Sequence, residues 1–315
     1  MAVEFGILLP TREAVMSKRP DTAPMLQMAE RAEAAGFSAV WVGDSLTARP
    51  RHEPLTLLAG VAGRTRRIRL GTAVLLPALW NPVVLAHVIG TLDRVAEGRL
   101  ILGLGIAADN PAIRKEFEQA GVPFERRVGR FLEIIEIWRA LWAGDNVSFH
   151  GKHFTLDGVT MEPKPQQRSG PPIWIGGSGP TALREAARFD AWFPTGPNVE
   201  FFAQHFPGIQ AAAKAAGRAP DAVKGAVYTT LALDASAAAA EDRLNKYLEN
   251  YYSVPARAMR ARQACYAGPL EGAVEWLQRW VDAGVRHIAI RFAGGDQLAQ
   301  VEEVAAKLVP RLRGT

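Results

Sequence analysis

Short apolar runs alternate along the chain with longer stretches whose apolar positions recur at helical spacing. The first run, Phe5 to Leu9, is continuous and of strand length. Behind it Met25, Leu26, Met28, Ala29 and Ala32 share one helical face over 21–35, and Gly36 stops that helix. The same alternation predicts strands over 39–42, 68–75, 100–104, 173–175, 191–193, 226–233 and 287–292. Between them it predicts helices over 54–63, 82–95, 126–142, 199–216, 235–251 and 270–283, with others near Ile113, from Thr181 and from Gln297. Two of these helices open on Pro54 and Pro82, where a missing N–H costs nothing. Two stretches break the rhythm. Over 147–165 VSFH and HFTL flank Gly151 as a hairpin with a proline-rich exit, and 253–268 is irregular, a candidate lid.

Eight strand-then-helix units predict an α/β fold, a (β/α)8 TIM barrel with insertion segments; an open doubly wound sheet is the alternative. The strands are too apolar to leave a face in water, and eight regularly spaced units favour closure. With no linker and no 20 to 50 residue repeat, one domain is expected over 1–315. The composition is 48% hydrophobic and 22% charged, which sets disorder aside. Lys and Arg number 37 against 32 Asp and Glu, a spread-out net charge of +5 that gives no nucleic-acid footprint. The single Cys265 allows no intramolecular disulfide and fits a cytoplasmic setting. The N-terminus does not read as a secretory signal. The longest apolar window, 73–90, holds Asn81, His87 and two prolines, so no membrane association is expected.

Chemistry in such a barrel gathers at the C-terminal strand ends. The second strand delivers Asp44 and Ser45 there, and the loop behind it, Arg49-Pro50-Arg51-His52-Glu53-Pro54, is rich enough to line a substrate or anion site. Asp44 is a hydrogen-bond or proton acceptor at the mouth, or with Ser45 a helix cap. After the fifth strand, Gly176, Gly177, Ser178 and Gly179 run into a helix, an arrangement that turns free N–H groups toward an anion. A plain tight turn would use the same glycines. Gly103-Leu104-Gly105 does not complete a dinucleotide fingerprint, since Ala108 takes the third glycine's place. No metal site is expected, because His150 and His153 lack further ligands. Neither a G-x-S-x-G elbow nor a strand-end lysine appears.

These residues, taken with Val40-Trp41-Val42-Gly43-Asp44, Arg69-Leu70-Gly71-Thr72-Ala73-Val74, Thr91-Leu92-Asp93, Glu97-Gly98-Arg99 and Pro172-Ile173-Trp174-Ile175-Gly176-Gly177-Ser178, carry a likeness over nearly the whole length. The chain resembles the bacterial luciferase-like superfamily of flavin- and deazaflavin-dependent oxidoreductases. The resemblance implies reduced FMN or the deazaflavin coenzyme F-420 across the strand ends. It also implies a cis peptide between Ala73 and Val74 behind the ring, with Gly105, Ile106 and Ala107 bordering it. Gly176, Gly177, Ser178 and Gly179 would hold the phosphate, helped by Thr195. Several relatives carry a histidine at or after the Asp44 position; here Ser45 follows, leaving Asp44 and His52 as candidates for acid–base work. Trp41, Leu79, Trp80 and Trp192 are expected to wall the substrate pocket.

The function expected is a monooxygenase using reduced FMN and O₂ on a small organic substrate, with a separate flavin reductase as a partner. The alternative is F-420-dependent hydride transfer. A rival of another class is a barrel hydrolase or isomerase of a phosphorylated metabolite, with Asp44, Glu53 and Asp109 as its acids. Association into a homo-oligomer is left open.

Overall fold

The structure, a computed structural model, describes residues 2–219 and 221–313. The expected 1–315 span therefore includes Met1, Pro220, Gly314 and Thr315, which lie outside the described residues. Among the described residues eleven strands form. They are β1 (Glu4–Leu8), β2 (Ala39–Val42), β3 (Arg69–Thr72), β4 (Leu100–Leu104), β5 (Val147–His150), β6 (Thr155–Val159), β7 (Ile173–Gly176), β8 (Ala191–Phe193), β9 (Lys224–Leu233), β10 (Ala264–Gly268) and β11 (Val285–Phe292). Eight of them pair in parallel in the order β1, β2, β3, β4, β7, β8, β9, β11, and β11 returns to β1. That closed ring with helices around it is a (β/α)8 barrel.

Closure covers both faces of the barrel strands. Trp41, Trp174 and Phe193 fill the interior with Leu8, Ile101 and Ala289, while Phe5, Val40, Leu70, Leu102 and Ile175 face the helices. The tryptophan fits only because adjacent strands carry glycine: a Cβ on Gly6 or Gly71 would come within 2.8 Å of the Trp41 ring. Its Nε1 donates to His287 Nε2 at 3.1 Å near the start of β11.

Within the motif residues 91–99, the buried side chains of Asp93 and Arg99 tie the segment to its neighbours. Asp93 accepts from Gln167 N and Gln167 Nε2, both at 2.8 Å. Arg99 Nη1 donates to Thr65 Oγ1 and Ile68 O, both at 3.0 Å, and Nη2 donates to Ala62 O at 3.2 Å.

The hairpin over 147–165 consists of β5 and β6, with β6 on TLDGV where HFTL was expected. The stretch read as a candidate lid is largely regular: helix Ala256–Arg260 leads into β10. β9 is ten residues long and changes partners along its length. Its first residues pair with β8 and its last five with β10, which lies where β8 has already ended. A short helix, Thr11–Met16, was not visible in the apolar pattern.

Candidate active site

At the C-terminal ends of the strands lies a cavity of about 620 Å³, within the range of small-molecule sites. Its floor is the turn after β3. There the Ala73–Val74 peptide is cis, and the Val74 side chain sits between two glycines. A Cβ on Gly105 would lie 2.5 Å from Val74 Cγ2, and one on Gly176 2.7 Å from Val74 Cγ1. Any larger residue at either place would push the bulge into the cavity. Ile106 and Ala107 continue the floor, Ala107 at φ 68°.

One side wall is the turn after β7, where Gly176, Gly177, Ser178 and Gly179 face the cavity together with Thr195 from the end of β8. Gly177 has φ 104°, a conformation natural to glycine. Ser178 Oγ donates to Gly196 O at 2.6 Å, and Trp192 Nε1 donates to Gly177 O at 3.0 Å, so the turn is fixed from behind.

Asp44 stands on the other side, past β2. Its Oδ2 accepts from Leu76 N at 3.0 Å. Burial pushes its carboxyl up to about 6, reinforced by the negative Glu53 and Glu116 and opposed by the Leu76 N–H and the Arg51 cation. A carboxyl at that value exchanges its proton near neutrality. Ser45 caps no helix. Its Oγ donates to Glu116 Oε1 at 2.7 Å and accepts from Arg49 N at 2.8 Å; the same carboxylate oxygen accepts from Thr47 N and Ala48 N.

Five of the expected residues lie elsewhere. His52 turns outward, its ring nitrogens lying 3.2 Å from Thr11 O and 2.8 Å from Pro20 O, so it is held by the first loop and does not face the cavity. Trp41 is fully buried within the barrel. Trp192, the outward neighbour of Phe193 on β8, is stacked on Phe202 at 5.0 Å. Leu79 packs with Ile113 and Phe117. Trp80 lies against the main core, its carbonyl accepting from Arg130. The walls are instead Leu76, Ile113, Phe193, Tyr228, Tyr251 and Tyr252. The Tyr251-Tyr252 pair closing helix Ala237–Tyr252 was the visible signal for that wall. Of the hydrolase's three acids, Glu53 caps helix Pro54–Arg64 and Asp109 pairs with Arg114 at 2.7 Å, both away from the cavity.

Four arginines also reach the cavity: Arg49, Arg51, Arg127 and Arg262. Among the described residues no carboxylate lies within ion-pair distance of any of them. A smaller, open recess of about 440 Å³ lies by Arg243 and Lys246. Those cations are already paired with Asp234 and Asp242. No helix among the described residues is long and apolar enough to cross a membrane.

The sequence model of the family described as luciferase-like monooxygenase matches residues 3–308. The F420-dependent glucose-6-phosphate dehydrogenase of Nocardia farcinica is 28% identical over 317 residues, covering 92% of this chain and 94% of the relative. Among solved structures, the monooxygenase RslO1 from Streptomyces bottropensis is 25% identical with a TM-score of 0.82, covering 98% of this chain and 99% of that one. An F420-dependent secondary alcohol dehydrogenase in complex with an F420-acetone adduct shares the fold at 18% identity and a TM-score of 0.80, over 99% of this chain and 100% of the other. With a match that runs through all eight barrel strands, the chain belongs to the luciferase-like monooxygenase family.

Proposed function

We propose that this oxidoreductase binds the deazaflavin coenzyme F-420 in the cavity and interconverts an alcohol and its carbonyl compound. When bound, the coenzyme supplies the two-electron hydride acceptor or donor. The observation that carries the reading is Asp44, a half-buried carboxyl pushed up to about 6 at the cavity wall. In alcohol oxidation it accepts the hydroxyl proton; in reduction it returns that proton to the carbonyl oxygen. The residues present suit the coenzyme. Gly105, Val74 and Gly176 leave a floor on which a flat ring can lie, with Ala73, Ile106 and Ala107 at its border. The N–H groups of Gly176, Gly177, Ser178 and Gly179, with Thr195, would hold the phosphate. Arg127 and Arg262, which also line the cavity with no carboxylate in ion-pair distance among the described residues, suit an anionic tail.

Oxygen insertion with reduced FMN, which leads in the sequence, becomes the second reading, favoured by the likeness to RslO1. It alone calls for a separate flavin reductase. The curated relative that covers nearly the whole chain is F420-dependent, which supports the reverse order.

Titration with F-420, FMN and reduced FMN, followed by fluorescence, tests the reading. F-420 should bind more tightly than either flavin, and the loaded protein should transfer hydride without O₂. Failure of all three to bind would overturn it. Ser178→Asp, which sets a negative charge against the phosphate, should weaken F-420 binding at least about tenfold; unchanged affinity removes the phosphate from that turn.

A further inference from the structure

The loop behind Asp44 holds a cation that the preceding reading leaves unused. Arg51 Nε donates to Arg49 O at 3.1 Å, but its Nη1 and Nη2 have no hydrogen-bond partner among the described residues. Arg49 and Arg262, which line the same cavity, also make no side-chain hydrogen bond among the described residues, whereas arginines away from it are engaged. Arg130 donates from Nε and Nη2 to Ala78 O and Trp80 O, and both Nη atoms of Arg99 are engaged by carbonyls and a hydroxyl. Arg51 thus lines the cavity with Nη1 and Nη2 unengaged.

Its position is set by the chain around it. The guanidinium lies against the backbone of Gly43, where a Cβ would collide with Nη1, so it stands next to the residue that precedes Asp44. Aromatic rings form the shelf below. Arg51 lies 5.9 Å from the Tyr251 ring centre and Arg49 4.9 Å from that of Tyr252, with the two rings 4.7 Å apart. Tyr252 is fixed in turn by Arg291 Nη1, which donates to its hydroxyl at 2.9 Å. A half-buried guanidinium with two free N–H edges on a rigid shelf is built for a planar or tetrahedral oxyanion. The turn after β7, where the proposed function puts the coenzyme's phosphate, lies three strands round the barrel from β2.

We propose that Arg51 anchors an oxyanion of the substrate, so that the compound handled beside Asp44 carries a carboxylate or a phosphate ester close to its reacting carbon. This rests on the proposed function for the location of the coenzyme, and the test separates the two. The protein loaded with F-420 is titrated with butyrate, methyl phosphate and butyramide, the last being a neutral counterpart of butyrate. Butyrate should bind at least about tenfold more tightly than butyramide, and the tighter of the two anions names the oxyanion. Arg51→Gln should erase the preference and Arg51→Lys should keep part of it, while F-420 affinity changes less than about twofold in both. Should Arg51→Gln fold poorly, the Arg51→Lys protein and the wild-type preference carry the comparison. Equal binding of butyrate and butyramide overturns the proposal. So does a preference that survives in Arg51→Gln, or a loss confined to F-420 binding. If no coenzyme binds, the proposed function falls, and the same comparison on unloaded protein still decides the role of Arg51.

Discussion

Asp44 is where burial and chemistry pull in opposite directions. Its carboxyl in the folded chain, at about 6, lies above the unfolded value of about 4. The folded state thus holds the proton more tightly across that window. Stability contributed by Asp44 is full below about pH 4, falls as pH rises toward about 6, and is flat above. Asp44→Asn, which keeps an acceptor for Leu76 N, should melt higher than the parent at about pH 8 by at most about 3 kcal/mol and equal it near pH 4. Alcohol oxidation should meanwhile fall by about 10² to 10⁴ in kcat/KM. A variant no more stable at high pH would show that the carboxyl is not strained by burial. Asp44 was legible because a strand end with one acid leaves few alternatives. Trp41, three residues earlier, was not. Alternation along β2 separates two faces, but only closure of the barrel decides which becomes the interior.

Elements carry that residue. The segment after β2 has no regular structure, and its shape is imposed by Glu116 from helix Pro111–Gln119, whose single oxygen Oε1 gathers Ser45 Oγ, Thr47 N and Ala48 N. Glu116→Ala would leave three donors without that acceptor in a largely buried place. It should lower stability by about 3 kcal/mol, and Glu116→Gln, which keeps one acceptor oxygen, should recover more than half. Thermal melting of the two variants checks this; equal loss in both would mean that the charge, not the acceptor, holds the loop. Most elements were readable from periodicity: the strands over 39–42, 100–104 and 191–193 and the helix over 82–95 stand at their predicted ends. β10 was not readable. Ala264-Cys265-Tyr266-Ala267-Gly268 contains no β-branched residue, and it becomes a strand because β9 outruns β8 and offers a free edge. Within 91–99, family-like residues that looked functional are a structural tie through Asp93 and Arg99, far from the cavity.

At the scale of the molecule, the mouth is cationic although the chain as a whole is nearly balanced, at +5. Arg49 and Arg51 come from the loop after β2, Arg127 from the start of helix Arg127–Ala143, and Arg262 from the stretch before β10. Nothing in their spacing along the chain brings them together; the barrel does, by delivering all three segments to one end, so the sequence offered one arginine-rich loop and not the cluster. Among the described residues none of them has a carboxylate within ion-pair distance, and a cleft with low-dielectric walls concentrates such a field. An anionic coenzyme should therefore be drawn in by a force that salt removes. Raising ionic strength from about 0.01 to about 1 M shortens the screening length from about 30 to about 3 Å. F-420 affinity should then fall by at least about tenfold, mostly through the association rate. The same deazaflavin ring on a neutral ribityl chain should bind with little change over that range. If both ligands respond alike, the arginines serve the stability of the mouth rather than its selectivity, and the attraction that distinguishes this cavity lies in its apolar floor.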